Sequence, residues 1–165
     1  MVPQKIRKEN SVNARDTALE VSRLFNAPPA RVFDAWLNRE EWRSWIGPVG
    51  LSCEVPLLEP RVGGRYRIVM RLTDGRVIPV AGIFQTIDAP KVLAFTWGAE
   101  SDPTRHTLIT LTLGEKGAKT ELKLQQEGFA SVESRDIHIT GWNDALNKLA
   151  AYLATREVGG IAERR

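Results

Sequence analysis

Two histidines, one cysteine, a few carboxylates and a glutamine set among apolar residues are the side chains of this sequence that could do chemistry. His106 and His138 are the only histidines. A metal site built on them needs further ligands at suitable spacing, and no His-x-x-His pair or carboxylate cluster supplies any. His106 reads as a surface residue at the start of a strand, whereas His138 stands one helical turn before Trp142 and is placed at an interior pocket. Cys53 has no second cysteine to pair with. Its apolar and acidic neighbours in sequence offer no cation to lower its pKa, so it reads as a small buried hydrophobe. Glu54 and Glu59 fall on or near one strand and read as solvated or ion-paired rather than as general acids. There is no Gly-x-Ser-x-Gly elbow, Walker loop or dinucleotide fingerprint, and Gly47-Pro-Val-Gly50 lacks the strand-to-helix context those loops require. The sequence therefore predicts no catalytic residue, no metal and no cofactor.

The remaining signal is aromatic. Tyr66, Phe84, Phe95, Trp97 and Trp142 come from separate elements that border one interior, and Trp45 joins them from a short helix. Met70 adds a thioether able to adapt to the shape of a guest. Gln126 and Tyr66 are the polar groups expected to point inward. A buried polar group without a partner destabilises the fold by about 1–3 kcal/mol, so water or a ligand is expected to satisfy them. The predicted ligand-binding set is Trp45, Tyr66, Met70, Phe84, Phe95, Trp97, Gln126, His138 and Trp142. Its chemistry is the non-covalent holding of an apolar small molecule, with a few polar groups orienting a carbonyl or hydroxyl.

Those residues need an architecture to bring them together. Residues 18–25 suit a strand whose inward parity is not decided by the alternation. Ala27-Pro28-Pro29 opens a short helix, because proline is tolerated in a first turn where the N–H has no partner. Asn38 followed by Glu41 has capping-box spacing, so a second short helix begins there and carries Trp42 and Trp45 on one face. Residues 51–57 form the next strand, and Gly63-Gly64 marks a turn or a close backbone approach. In residues 65–72, Tyr66, Ile68, Met70 and Leu72 share the inward face. Asp74-Gly75 is a hairpin signal leading into a strand over 77–87. Further strands follow at 92–97, 107–113 and 120–126, the last two joined by a turn from Gly114 to Gly117.

From about Val132 the period becomes helical, with Ser131 as cap and an apolar stripe through Trp142, Leu146, Leu149 and Leu153. A helix of about 24 residues spans roughly 36 Å and is expected to stop at Gly159-Gly160. The order is strand, two short helices, six strands and one long helix, an α+β pattern in which a curved antiparallel sheet wraps the last helix. The domain is expected over residues 17–157, between flexible tails at 1–16 and 158–165.

Composition sets the outer limits. The chain of 165 residues is 42% hydrophobic and 26% charged, which suits one globular domain with a real core. The net charge of +3 comes mainly from residues near the two ends, and no run of basic residues alternates with aromatics, so no nucleic-acid partner is expected. No signal-peptide core and no uninterrupted apolar run of about 18 residues occurs, so membrane insertion is not expected and the cytoplasm is the expected compartment.

Four segments in order carry a resemblance: the helix from Ala27-Pro28-Pro29 to Trp36 with Trp45-Ile46-Gly47-Pro48, Gly63-Gly64-Arg65-Tyr66, Leu93-Ala94-Phe95-Thr96-Trp97, and Gly128-Phe129 with Gly141-Trp142-Asn143-Asp144-Ala145-Leu146. Together they resemble the SRPBCC or START-like (birch-pollen-allergen-like) superfamily, in the branch similar to the C-terminal domain of the activator of heat-shock protein 90 ATPase. The resemblance spans about residues 18–155. It implies the helix-grip fold, with a cavity left between sheet and helix. Many relatives have a histidine where this chain has Gln126, which removes an acid or base at that point. The resemblance implies binding of a small hydrophobic molecule first. A second reading is a polyketide cyclase or hydrolase in which Gln126, Tyr66 or His138 polarises the substrate. A third is an interaction protein with a heat-shock ATPase chaperone as partner, using Trp42 if that residue lies outside. Oligomeric state is left open by the sequence.

Overall fold

The computed structural model describes the backbone of residues 16–163 and side chains as far as Thr155. The expected tail at 1–16 therefore lies, but for Asp16, outside the described residues. The elements are β1 (Ala18–Phe25), α1 (Pro29–Asp34), α2 (Arg39–Trp45), β2 (Ser52–Leu58), β3 (Arg65–Arg71), β4 (Val77–Asp88), β5 (Val92–Ala99), a 3-10 turn at Pro103–Arg105, β6 (Thr107–Lys116), β7 (Lys119–Glu127) and α3 (Val132–Glu163). The seven strands make one antiparallel sheet in the order β1-β7-β6-β5-β4-β3-β2, and it curves around α3.

That order explains the two short helices. β1 and β2 lie at opposite edges of the sheet, so residues 26–51 must cross its whole width. They cross as α1 and α2, and the crossing buries Val32, Phe33, Trp36, Trp42 and Trp45. Pro29 starts α1 where its missing N–H costs nothing. Asn38 caps α2 through its side-chain oxygen, which accepts from the Glu41 N–H at 3.1 Å. Glu41 does not complete the capping box but turns to Arg31, 2.7 Å away.

The strands show the expected alternation, and β1 gains its parity: Leu19, Val21 and Phe25 face in. Arg23 shares that face at the sheet edge, and its guanidinium donates to the side-chain oxygens of Asn143 (2.7 Å) and Asn147 on α3. Pro56 falls in the register shift of the edge strand β2, where no ladder hydrogen bond is lost. Gly64 is a close approach, since a Cβ there would stand 2.2 Å from the Glu59 carbonyl oxygen.

Most boundaries fall within two residues of expectation, and two differ by more. β6 runs through Gly114 to Lys116, so the second hairpin turns at Gly117-Ala118 and Gly114 is a strand residue. The last helix has 32 residues and passes through Gly159-Gly160 to Glu163. Glycine costs a helix about 1 kcal/mol but keeps its N–H in the ladder, so a Gly pair does not by itself end one. At the start of α3 the Ser131 hydroxyl accepts from the Ser134 N–H at 3.1 Å. Trp142, Leu146, Leu149 and Leu153 form its buried stripe.

Candidate functional site

The interface between sheet and helix is filled at one end by aromatic side chains. Trp36 meets Trp45 edge to face at a centroid distance of 4.6 Å, and Trp42 meets Tyr66 in the same way at 5.0 Å. Phe95 lies among them, 5.7 Å from Tyr66 and 5.8 Å from Phe84. The indole N–H of Trp45 donates to the Ala35 carbonyl at 3.3 Å. Those of Trp36 and Trp42 have no oxygen or nitrogen acceptor, and the edge-to-face contacts are the geometry in which a ring face partly replaces one. The Tyr66 hydroxyl donates to the Thr96 carbonyl, and burial pushes its phenol well above the ordinary range.

The other end is hollow. A cavity of about 190 Å³ lies between the first half of α3 and the sheet. Its floor is Met70 on β3, Ile78 and Val80 on β4 and Trp97 on β5. Its roof is Ile137, His138, Gly141, Trp142 and Ala145 on α3, and Gly47, Pro48 and Leu51 form a side wall. Ile78 and Ile137 are 44% and 69% exposed, so the cavity opens to solvent between them. No charged residue lines it.

The helix explains why the hollow is where it is. Residues four apart on a helix lie in one row, and the row over the cavity reads Ile137, Gly141, Ala145, Leu149, Leu153. The small pair Gly141 and Ala145 leaves room that Leu149 and Leu153, both buried, take up further along. The side wall is pinned to the same helix. Asp144 accepts from the Val49 N–H at 3.1 Å, and the Lys148 ammonium reaches the carbonyls of Ile46 and Pro48 at 3.4 Å each. Burial pushes Lys148 down, against the opposing pull of Cys53 and Asp144. Gly47 has a φ of +90°, and a Cβ there would stand 2.9 Å from Cys53 Sγ, so the wall turns where a side chain would be strained.

Two polar groups set the chemistry of the walls. Gln126, fully buried on β7, accepts from the Trp142 indole N–H at 2.7 Å and donates to the Thr107 hydroxyl at 2.8 Å. Thr107 passes the chain on to the Trp97 carbonyl at 2.8 Å. Gln126 thus fixes the Trp142 ring from behind. His138 Nδ1 lies 2.8 Å from the Ser134 carbonyl, an acceptor, so Nδ1 carries the proton. Nε2 is left as the lone-pair nitrogen, with no partner among the described residues. Burial pushes the imidazole below its ordinary 6.5, with the Ser134 hydrogen bond pulling the other way.

Of the predicted set, Met70, Trp97, His138 and Trp142 line the cavity. Trp45, Tyr66, Phe84 and Phe95 do not; the crossing helices supply enough ring volume to close that half of the interior. Gln126 is also set back from the wall, and its amide is satisfied by protein, as is the Tyr66 hydroxyl, where water or a ligand was expected. Sequence reasoning missed Leu51, Ile78, Val80, Ile137, Gly141 and Ala145. The small residues of the helix row were a readable signal for the last two. The bland readings of other groups are in keeping with the structure. His106 Nε2 is 2.9 Å from the Ala99 carbonyl, Glu54 is 3.5 Å from Arg71, and Glu59 accepts from the Arg65 N–H at 2.8 Å. Cys53 is buried against the Ile46 carbonyl. It has a cation after all, Lys148, but burial outweighs it and pushes the thiol up. Among the described residues no group of three or more His, Cys, Asp or Glu could hold a metal, and no helix is long and apolar enough to cross a membrane.

The sequence profile described as Activator of Hsp90 ATPase homolog 1-like protein matches residues 26–154. The chain belongs to that family. Solved structures share its fold. A Silicibacter pomeroyi member is 28% identical with a TM-score of 0.73, covering 84% of this chain and 99% of its own. A Chromobacterium violaceum protein is 25% identical with a TM-score of 0.77, covering 82% and 96%. A protein from Arthrobacter aurescens, 22% identical, shares the fold with a TM-score of 0.76 over 88% and 90%. No curated protein matches the chain in sequence. In this family member the segment Gly141-Trp142-Asn143-Asp144-Ala145 has a use for each residue: room, wall, the Arg23 bond, the loop anchor, and room again.

Proposed function

We propose that this protein binds a small hydrophobic molecule non-covalently in the hollow between sheet and helix. The observation that carries the reading is the cavity itself: about 190 Å³, lined by apolar side chains and opening to solvent between two exposed isoleucines. A cavity of about 150 Å³ lined by apolar residues holds benzene, so this one suits a guest of about six to ten non-hydrogen atoms. It is smaller than the roughly 300–1,000 Å³ of pockets for drug-sized ligands, which speaks against sterols and long acyl chains. Two indoles, Trp97 and Trp142, give the guest flat apolar contact, and Met70 adapts to its outline.

The alternatives gain less support. Of the three groups expected to polarise a substrate, Tyr66 and Gln126 have their polar atoms bonded to protein and stand behind the wall, which leaves His138 alone. Trp42, the side chain expected to reach a chaperone partner if it lay outside, is fully buried. Native mass spectrometry of gently purified protein tests the reading. The expected result is a retained organic mass, or an adduct formed on adding ethylbenzene. A chain that stays unliganded in both experiments overturns it.

A further inference from the structure

Resting on that reading, the chemistry of the cavity wall narrows the class of guest. We infer that the guest is a small uncharged aromatic molecule carrying one hydrogen-bond donor, a phenol or a close equivalent, whose O–H donates to His138 Nε2 while its ring packs on Trp97 and Trp142.

Three observations converge on this. The first is charge. No cation lines the cavity, and the nearest ammonium, Lys148, is held on the loop carbonyls of Ile46 and Pro48. A carboxylate guest would leave water with no partner inside, and burying an unpaired charge costs far more than burying a ring. The second is donor and acceptor balance. The Trp142 N–H is already given to Gln126, and the imidazole N–H to Ser134. What His138 has left is an acceptor, and burial keeps that acceptor unprotonated at neutral pH. Nε2 is not among the buried atoms without a partner, so it stays open to water; a guest with a donor can take the place of that water on Nε2, whereas a pure hydrocarbon cannot. The third is shape. Trp97 and Trp142 pack on each other 5.1 Å apart by centroid and tilted 54°, and both line the cavity beside Met70. Ring faces and a thioether favour an aromatic guest over an aliphatic one of equal volume.

Isothermal titration calorimetry of the full chain at about pH 7.5 separates the possibilities with three probes of similar size: ethylbenzene, 4-ethylphenol and 4-methylbenzoate. The expected order is 4-ethylphenol about 3- to 10-fold tighter than ethylbenzene, the worth of one neutral hydrogen bond, with 4-methylbenzoate weakest. His138→Phe and His138→Leu reshape the cavity roof and so change both affinities, but within each variant the ratio of 4-ethylphenol to ethylbenzene affinity should fall to about one; the pair guards against one of them failing to fold. If ethylbenzene binds and the phenol is no better, if the carboxylate binds best, or if the advantage survives both substitutions, the assignment to His138 is wrong and the hydrophobic site stands. If none of the three probes binds, the binding site itself is withdrawn.

Discussion

Trp36, Trp42 and Trp45 in the filled part of the interface, and Trp97 and Trp142 beside the hollow, adjoin one another through Trp36–Trp142 at 6.0 Å, yet they are the same residue type put to opposite uses. The first three arrive on the segment that crosses from one sheet edge to the other, and all three are fully buried. The other two come from β5 and α3, where the helix row over the cavity narrows to Gly141 and Ala145 between Ile137 and Leu149, so their rings bound a space and do not fill it. Aromatic residues alone therefore do not mark a cavity. What marks it is the size of the residues opposite them.

The largest expected effect probes the filled end. Phe95 contacts Trp36, Trp42, Tyr66 and Phe84, so Phe95→Ala removes the ring shared by all four. Urea denaturation should show a loss of about 3–5 kcal/mol, the usual range for a large aromatic truncated in a packed core. A loss below about 1 kcal/mol would mean that this end is not tightly packed and that the contrast with the cavity is false.

A matched pair sharpens the contrast. Ala35 and Ala145 are both buried, the first in the filled end, the second on the cavity roof. Ala35→Leu forces extra volume into packed rings and should cost about 1–3 kcal/mol. Ala145→Leu puts the same volume into empty space, so stability should stay within about 1 kcal/mol of wild type. Binding of ethylbenzene should disappear with it in native mass spectra. Equal destabilisation by the two substitutions, or unimpaired binding in Ala145→Leu, would break the comparison.

The strands, the hairpin at Asp74-Gly75 and the caps at Asn38 and Ser131 were legible because each depends on neighbours close in sequence. The family resemblance then placed the long helix across the sheet. The candidate site was legible only in part, because a wall is made by whichever residues face an unfilled volume, and that is a property of several elements at once. Phe84 and Phe95 read as part of the aromatic set that borders one interior, and both are buried. Nothing local showed that Trp36, Trp42 and Trp45 would occupy the space before them. Gln126 reads as interior and is fully buried, but its partners, Thr107 and Trp142, lie 19 and 16 residues away, a pairing that only the β6–β7 register and the return of α3 create.

The smallest expected effect concerns pH and separates the two ends by protonation. Burial holds the folded His138 imidazole below its ordinary 6.5, so as pH falls the unfolded chain takes up the proton first. Stability conferred by the neutral buried ring is therefore full above about pH 7.5. It declines as pH drops through the unfolded value and levels off below the folded one. Denaturation midpoints of wild type and His138→Gln, compared from about pH 7.5 to 5, should show the wild type losing ground to the variant over that window. Tyr66 in the aromatic cluster is pushed upward and stays neutral throughout that window. Phe95→Ala should consequently lower stability by the same amount at both pH values. A slope that vanishes in Phe95→Ala but persists in His138→Gln would place the titrating group at the wrong end of the molecule. With 4-ethylphenol bound, the wild-type slope should steepen, because a guest that donates to Nε2 binds only the neutral imidazole.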